Sequence, residues 1–138
     1  MTGNSEVPEI RRPQLDAVLK FLPIFEQPGY VFGEWHSPEG QFPYYSMSRE
    51  VMDFIEALSD QEIIFSFDWP SWQEEAVQYV SDPGAVEQAD LLTLRKLLTL
   101  HVRKDRFVEG HLAHMLEDGH ITAVLRQLNK IREQMARS

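Results

Sequence analysis

The stretch Asp90-Leu91-Leu92-Thr93-Leu94-Arg95-Lys96-Leu97-Leu98-Thr99-Leu100-His101-Val102 decides the fold. At about 100° per residue, Leu91, Leu94, Leu97, Leu98 and Val102 fall within a narrow arc, so the segment predicts an amphipathic helix. Asp90 is placed to cap it, because a short carboxylate accepts from first-turn N–H groups that have no partner inside the helix. Leu92 and Leu100 add apolar surface elsewhere around the cylinder, which puts this helix at the centre of the core.

Working outward toward the C-terminus, Val108, Leu112, Met115 and Leu116 make a second stripe. It stops at Gly119, a residue suited to the left-handed geometry in which helices end. Val124, Leu125, Leu128 and Ile131 carry a last helix over about residues 121–135, with Arg126 and Lys130 on its opposite side. Toward the N-terminus, Pro13 opens a helix bearing Leu15, Val18, Leu19 and Leu22, which Pro23 and Pro28 bend or end. From Gly29 the texture changes. Tyr30, Val31, Phe32 and Trp35, the turn-rich Ser37-Pro38-Glu39-Gly40, then Phe42, Tyr44 and Tyr45 predict a β-hairpin or an ordered aromatic loop, with Pro43 confining the second strand to an edge.

Ser46 or Ser48 can cap the following helix, whose buried stripe is Val51, Phe54, Ile55 and Leu58. The apolar run at 63–67 is readable as a strand or as a helix end, since periodicity cannot separate them at that length. Ser71 and Glu74 have capping-box spacing for a further helix with Trp72, Ala76, Tyr79 and Val80 inward, ended by Asp82-Pro83-Gly84. The expectation is a mainly α fold. It is one small domain of about five helices, with one β-hairpin or aromatic loop near the N-terminal third. Residues 1–12 are a loose lead-in and residues 13–138 are the domain.

The chain has 138 residues, room for one core, which excludes a barrel enzyme or a two-domain dehydrogenase. Its 43% hydrophobic content, with 8 Phe, 3 Trp and 4 Tyr, excludes a wholly disordered chain. There are no cysteines, which removes disulfides, thiolate nucleophiles, iron–sulfur clusters and cysteine-ligated zinc. Residues 1–12 lack a basic segment followed by an apolar run, and nowhere do about 18 uninterrupted apolar residues occur, so neither an export signal nor a membrane span is expected. A cytoplasmic location fits. The net charge of −9 argues against general nucleic-acid binding, because phosphates would meet an average repulsive field. That charge is uneven: residues 1–90 hold 4 Lys/Arg against 17 Asp/Glu, and residues 91–138 hold 9 against 5. The simplest reading is that the basic end packs beside the acidic part.

Four of the five histidines lie between positions 101 and 120, within and just after the densest polar segment. If the central helix continues through Asp105, His101 and Asp105 stand one turn apart inside the leucine arc, while Arg103 and Lys104 point elsewhere. A buried polar group without a partner costs about 1–3 kcal/mol, so this pair is either a satisfied structural network, with Arg106 neutralising Asp105, or an aspartate orienting a histidine for acid–base work or ligand binding. His111, His114, Glu109 and His120 offer imidazole and carboxylate donors, but the His-Glu-x-x-His spacing of zinc proteases is missing and no metal is assigned. The last two helices around Gly119, with Arg126, Lys130 and Arg132, have the outline of a helix-turn-helix, yet any small bundle needs the same arrangement. Aromatics such as Trp35, Phe42, Tyr44, Trp69 and Trp72 can wall a ligand pocket or close a core. No glycine-rich phosphate loop and no Gly-x-Ser-x-Gly elbow occurs, so no cofactor is expected.

The segment Arg103-Lys104-Asp105-Arg106-Phe107-Val108-Glu109-Gly110, together with Phe67-Asp68-Trp69, Trp72, Ala89-Asp90, Leu97-Leu98-Thr99 and Gly119-His120-Ile121, resembles a small prokaryotic domain family catalogued only as a domain of unknown function. The resemblance covers the last half of the chain and implies a bacterial cytoplasmic protein. It implies no activity.

The leading expectation is a non-enzymatic accessory or binding module whose residues 103–111 form a polar junction between two helices, shared with a protein partner or a small anionic ligand, with a homodimer through that junction also allowed. The alternative is a small enzyme or anionic-ligand binder using His101, Arg103, Asp105, Arg106, Glu109 and His111, beside Trp69 or Trp72, with the arginines for the anion and a histidine for proton transfer. A nucleic-acid-binding regulator is the third class, disfavoured by the net charge.

Overall fold

Short polar side chains mark where the helices start. The computed structural model describes residues 7–135. Along the chain lie α1 (Arg12–Leu19), α2 (Leu22–Phe25), β1 (Gly33–His36), β2 (Tyr44–Met47), α3 (Arg49–Asp60), α4 (Trp69–Ser81), α5 (Pro83–Glu87), α6 (Leu91–Lys104), α7 (His111–Glu117) and α8 (His120–Met135). The fold is mainly helical, with one two-stranded antiparallel hairpin in which Trp35 pairs Tyr45 and Gly33 pairs Met47. Ser48 Oγ accepts from Val51 N at 3.2 Å, and Asp90 Oδ1 from Thr93 N at 2.9 Å, each occupying a donor that the first turn leaves free. No helix among the described residues is long and apolar enough to cross a membrane.

Three local expectations change. The cap of α4 is Asp68, three residues ahead of Ser71: its Oδ1 accepts from Ser71 N and its Oδ2 from Ser71 Oγ at 2.5 Å. Pro70 suits that first turn because it lacks the N–H that would otherwise be unpaired. Asp82 ends α4 but also caps α5 through Gly84 N, so the proline that stops one helix opens another. The lead-in ends early, since Ile10 is already buried with α1, while positions 1–6 of it lie outside the described residues.

The run at 63–67 is neither strand nor helix. Ile63, Ile64 and Phe65 are buried all the same, and their irregular backbone finds its partners on α3, where Leu58 O accepts from Ile63 N and Ile64 N, and on α6. Arg95 Nε donates to Ile63 O at 3.0 Å and a terminal guanidinium nitrogen donates to Glu62 O at 2.8 Å. Thr99 Oγ1 accepts from Phe65 N at 3.2 Å and donates to Arg95 O. A buried loop is tolerable only when its peptide groups find such partners.

α6 is the centre of the core, as its leucine arc predicts. Leu94, Leu97 and Leu98 pack in one cluster with Leu112 and Leu116 of α7, Ile121, Val124, Leu125 and Leu128 of α8, and Leu15, Phe54 and Leu58 of α1 and α3. Phe21, Phe25, Tyr30 and Phe32 extend it toward the hairpin through edge-on and tilted ring contacts. Two ion pairs lay α8 against the N-terminal helices: Arg126 Nε to Glu26 at 2.6 Å and Arg132 Nε to Asp16 at 2.5 Å.

Candidate functional site

α6 stops at Lys104, and its C-cap Asp105 keeps helical backbone (φ −58°, ψ −27°) and donates its N–H to His101 O at 3.2 Å, but its carboxylate turns to the start of α7 and not to the His101 ring. The reason is the start of α7. Gly110, at φ 84°, precedes that helix and has no side chain to cap it, so Asp105 Oδ1 reaches across the loop to accept from Leu112 N at 2.9 Å. Val108 is correspondingly outside the apolar stripe and about half exposed.

His101 is paired with another histidine instead. Its Nδ1 lies 2.9 Å from Nε2 of His111, the first residue of α7, so one ring donates and the other accepts. The His120 ring, at the first turn of α8, stands edge-on to His101 with centroids 4.9 Å apart. His101 is 1% exposed and His120 6%. Burial, ahead of the neighbouring rings and Lys104, drives the His101 pKa well below its ordinary value. Burial likewise lowers His111 to about 4, with Lys104 adding to the effect, and lowers His120 to about 4 against a small opposing pull from Asp118. All three rings are therefore neutral at pH 7. Nε2 of His101 and Nε2 of His120 have no hydrogen-bond partner among the described residues.

Two hollows flank this cluster. One, of about 310 Å³, lies between α4, α6 and α7: Ala76, Val77, Val80, Leu100 and Met115 make apolar walls, and His101, His111 and Lys104 one polar side. The other, of about 400 Å³, has His120 and Arg126 among the residues around it, opposite Tyr79 and Pro83.

The remaining candidates fan out from the loop over residues 105–110. Arg103, Asp105 and Arg106 border a separate groove against Ser59 and Asp60 of α3. Glu109 Oε2 accepts from Tyr45 N at 3.0 Å and fastens the hairpin. Trp69 packs on Phe107, and Trp72 on Phe67 and Tyr79 with Lys96 over its ring. The polar segment is thus not one cluster. His101 and His111 meet; the two arginines and the two tryptophans lie elsewhere. Lys104 joins the pair because its helical phase falls about 20° from that of Leu97, at the edge of the arc and not away from it, and Arg95, a buried cation clamping the 61–68 loop, belongs to the packing. Among the described residues no three His, Asp or Glu side chains gather so as to hold a metal.

Fold and site together define a small helical domain, one hairpin clasped to its side, with a neutral imidazole cluster where three helices meet. Residues 10–134 match the profile of a family described as of unknown function, DUF6508, and the chain belongs to that family. No curated protein and no solved structure matches it.

Proposed function

We propose that the protein is a non-enzymatic, cytoplasmic binding module that holds a small, mostly apolar carboxylate in the hollow between α4, α6 and α7. One observation carries the reading: a neutral His101–His111 pair and the Lys104 ammonium border a mostly apolar space of about 310 Å³, to whose rim Gln73 and Ser81 also contribute. That volume is at the small end for ligand sites, and apolar walls with a few converging polar groups are their usual make-up. Lys104 supplies the charge for an anion, while the imidazoles supply hydrogen bonds without charge. Acid–base catalysis is poorly served here, because a ring with a pKa of about 4 is a weak base at neutral pH and no carboxylate orients it.

The test is an amide NMR titration with sodium octanoate and sodium benzoate. Saturable shifts at Ala76, Lys104 and Met115 are expected, with affinity falling about tenfold in Lys104→Met, roughly 1.4 kcal/mol. Shifts elsewhere, or equal affinity in Lys104→Met, would remove the site. Turnover of any substrate that His101→Ala abolishes in a folded protein would replace the binding module with an enzyme.

A further inference from the structure

The hairpin is held against the α6–α7 loop by two contacts. Glu109 accepts from Tyr45 N, and the Trp35 indole lies so close to Gly110 that a Cβ there would come within 2.6 Å of Cζ2. Gly110 is needed twice over, for that approach and for its φ of +84°. The result is a hollow of about 330 Å³ bounded by Trp35, Tyr45, Glu109, Gly110, His111 and Glu117. Trp35 and Tyr45 face each other across the strands with ring planes at 73° and centroids 5.4 Å apart, so they form an aromatic corner. The indole stays 53% exposed although it is wedged in place by backbone.

We infer that this hollow is a binding site for an alkylated ammonium group. Glu109 and Glu117 are its acidic neighbours, His114 also borders it, and among the described residues neither Lys nor Arg does. Burial first, then the charges of Glu117, Asp105 and Glu34, push the Tyr45 hydroxyl up to about 12. An aromatic corner with carboxylates beside it attracts a cation over the ring faces, and a methylated ammonium, weakly hydrated, gives up little on leaving water. This site is separate from the octanoate hollow, although His111 borders both, so either can fail alone.

The experiment is an NMR titration of the intact protein with tetramethylammonium chloride against sodium chloride at equal ionic strength. Tetramethylammonium should shift the Trp35 indole and the Gly110 and Tyr45 amides saturably, whereas sodium should not. Affinity should fall at least tenfold in Trp35→Leu and several-fold in Glu117→Gln, while Lys104→Met leaves it unchanged. Equal shifts from sodium would overturn the site, as would unchanged affinity in Glu117→Gln, the variant that decides if Trp35→Leu loosens the hairpin. A trimethyl-lysine peptide binding more tightly than choline would assign the group to a protein tail; the reverse order would assign it to a free small molecule.

Discussion

Glu62 follows α3 with φ 60°, the left-handed conformation in which a Cβ crowds the backbone. It is there because the helix closes with Glu62 N donating to Ser59 O and Ile63 N to Leu58 O, the paired bonds that usually call for glycine. Glu62→Gly keeps both bonds and its carbonyl's bond from Arg95, so it should stabilise the protein by about 0.5–1 kcal/mol, readable as a higher urea midpoint. His120 makes the second residue-scale prediction. Its folded pKa of about 4 lies below the ordinary 6.5, so the unfolded chain binds the extra proton. Its contribution is complete above pH 6.5 and is lost as pH falls from there toward 4. At pH 5 the loss is about 2 kcal/mol. Urea midpoints at pH 7 and pH 5 should therefore diverge less in His120→Gln than in the parent, a comparison in which the carboxylates common to both cancel. Residue identity announced much of this chemistry but not its pairings. The histidines stood out by density, yet which ring His101 would meet depended on where the helix ended. Arg95 is readable as well: at 100° per residue it falls about 20° past Val102, at the edge of the leucine arc, where a cation must find acceptors.

At the scale of elements, strong periodicity and good caps were legible and weak ones were not. α6 and α8 follow their leucine stripes, and Ser48 caps α3 as its hydroxyl allows. The start of α4 slipped by three residues because Asp68 and Pro70 outcompete Ser71. The 61–68 connection could not be read at all, since its conformation is imposed by side chains from another helix more than 30 positions away. Thr99→Val keeps the shape but leaves Phe65 N without its acceptor, and should cost about 1–2 kcal/mol in chemical denaturation. Arg95→Met strips the buried Ile63 carbonyl and the part-buried Glu62 carbonyl of their donor and loses the guanidinium stacked 5.1 Å from the Phe65 ring, a larger loss of about 3 kcal/mol. If both variants melt with the parent, the loop does not depend on α6 in this way.

Over the whole molecule, the charge imbalance between the two parts of the sequence is the fold's own complementarity. Arg126 and Arg132 of α8, two of the three residues, with Lys130, that would have faced phosphates, engage Glu26 and Asp16 of the acidic N-terminal region. Asp16 is correspondingly held below its ordinary pKa by the bond from Arg132. With those cations engaged and the net charge at −9, the protein should pass through immobilised heparin or DNA at about 0.15 M salt; retention would restore the nucleic-acid reading. The same closing of α8 on α1 brings Glu9 and Ile10 beside Gln134 and Met135. The described backbone thus returns at residues 134 and 135 to the hollow that residues 9 and 10 also line. A short tether joining those two places, and a cut at the exposed turn near Gly40 and Phe42, would yield a circular permutant with every core contact retained and new termini at the hairpin tip.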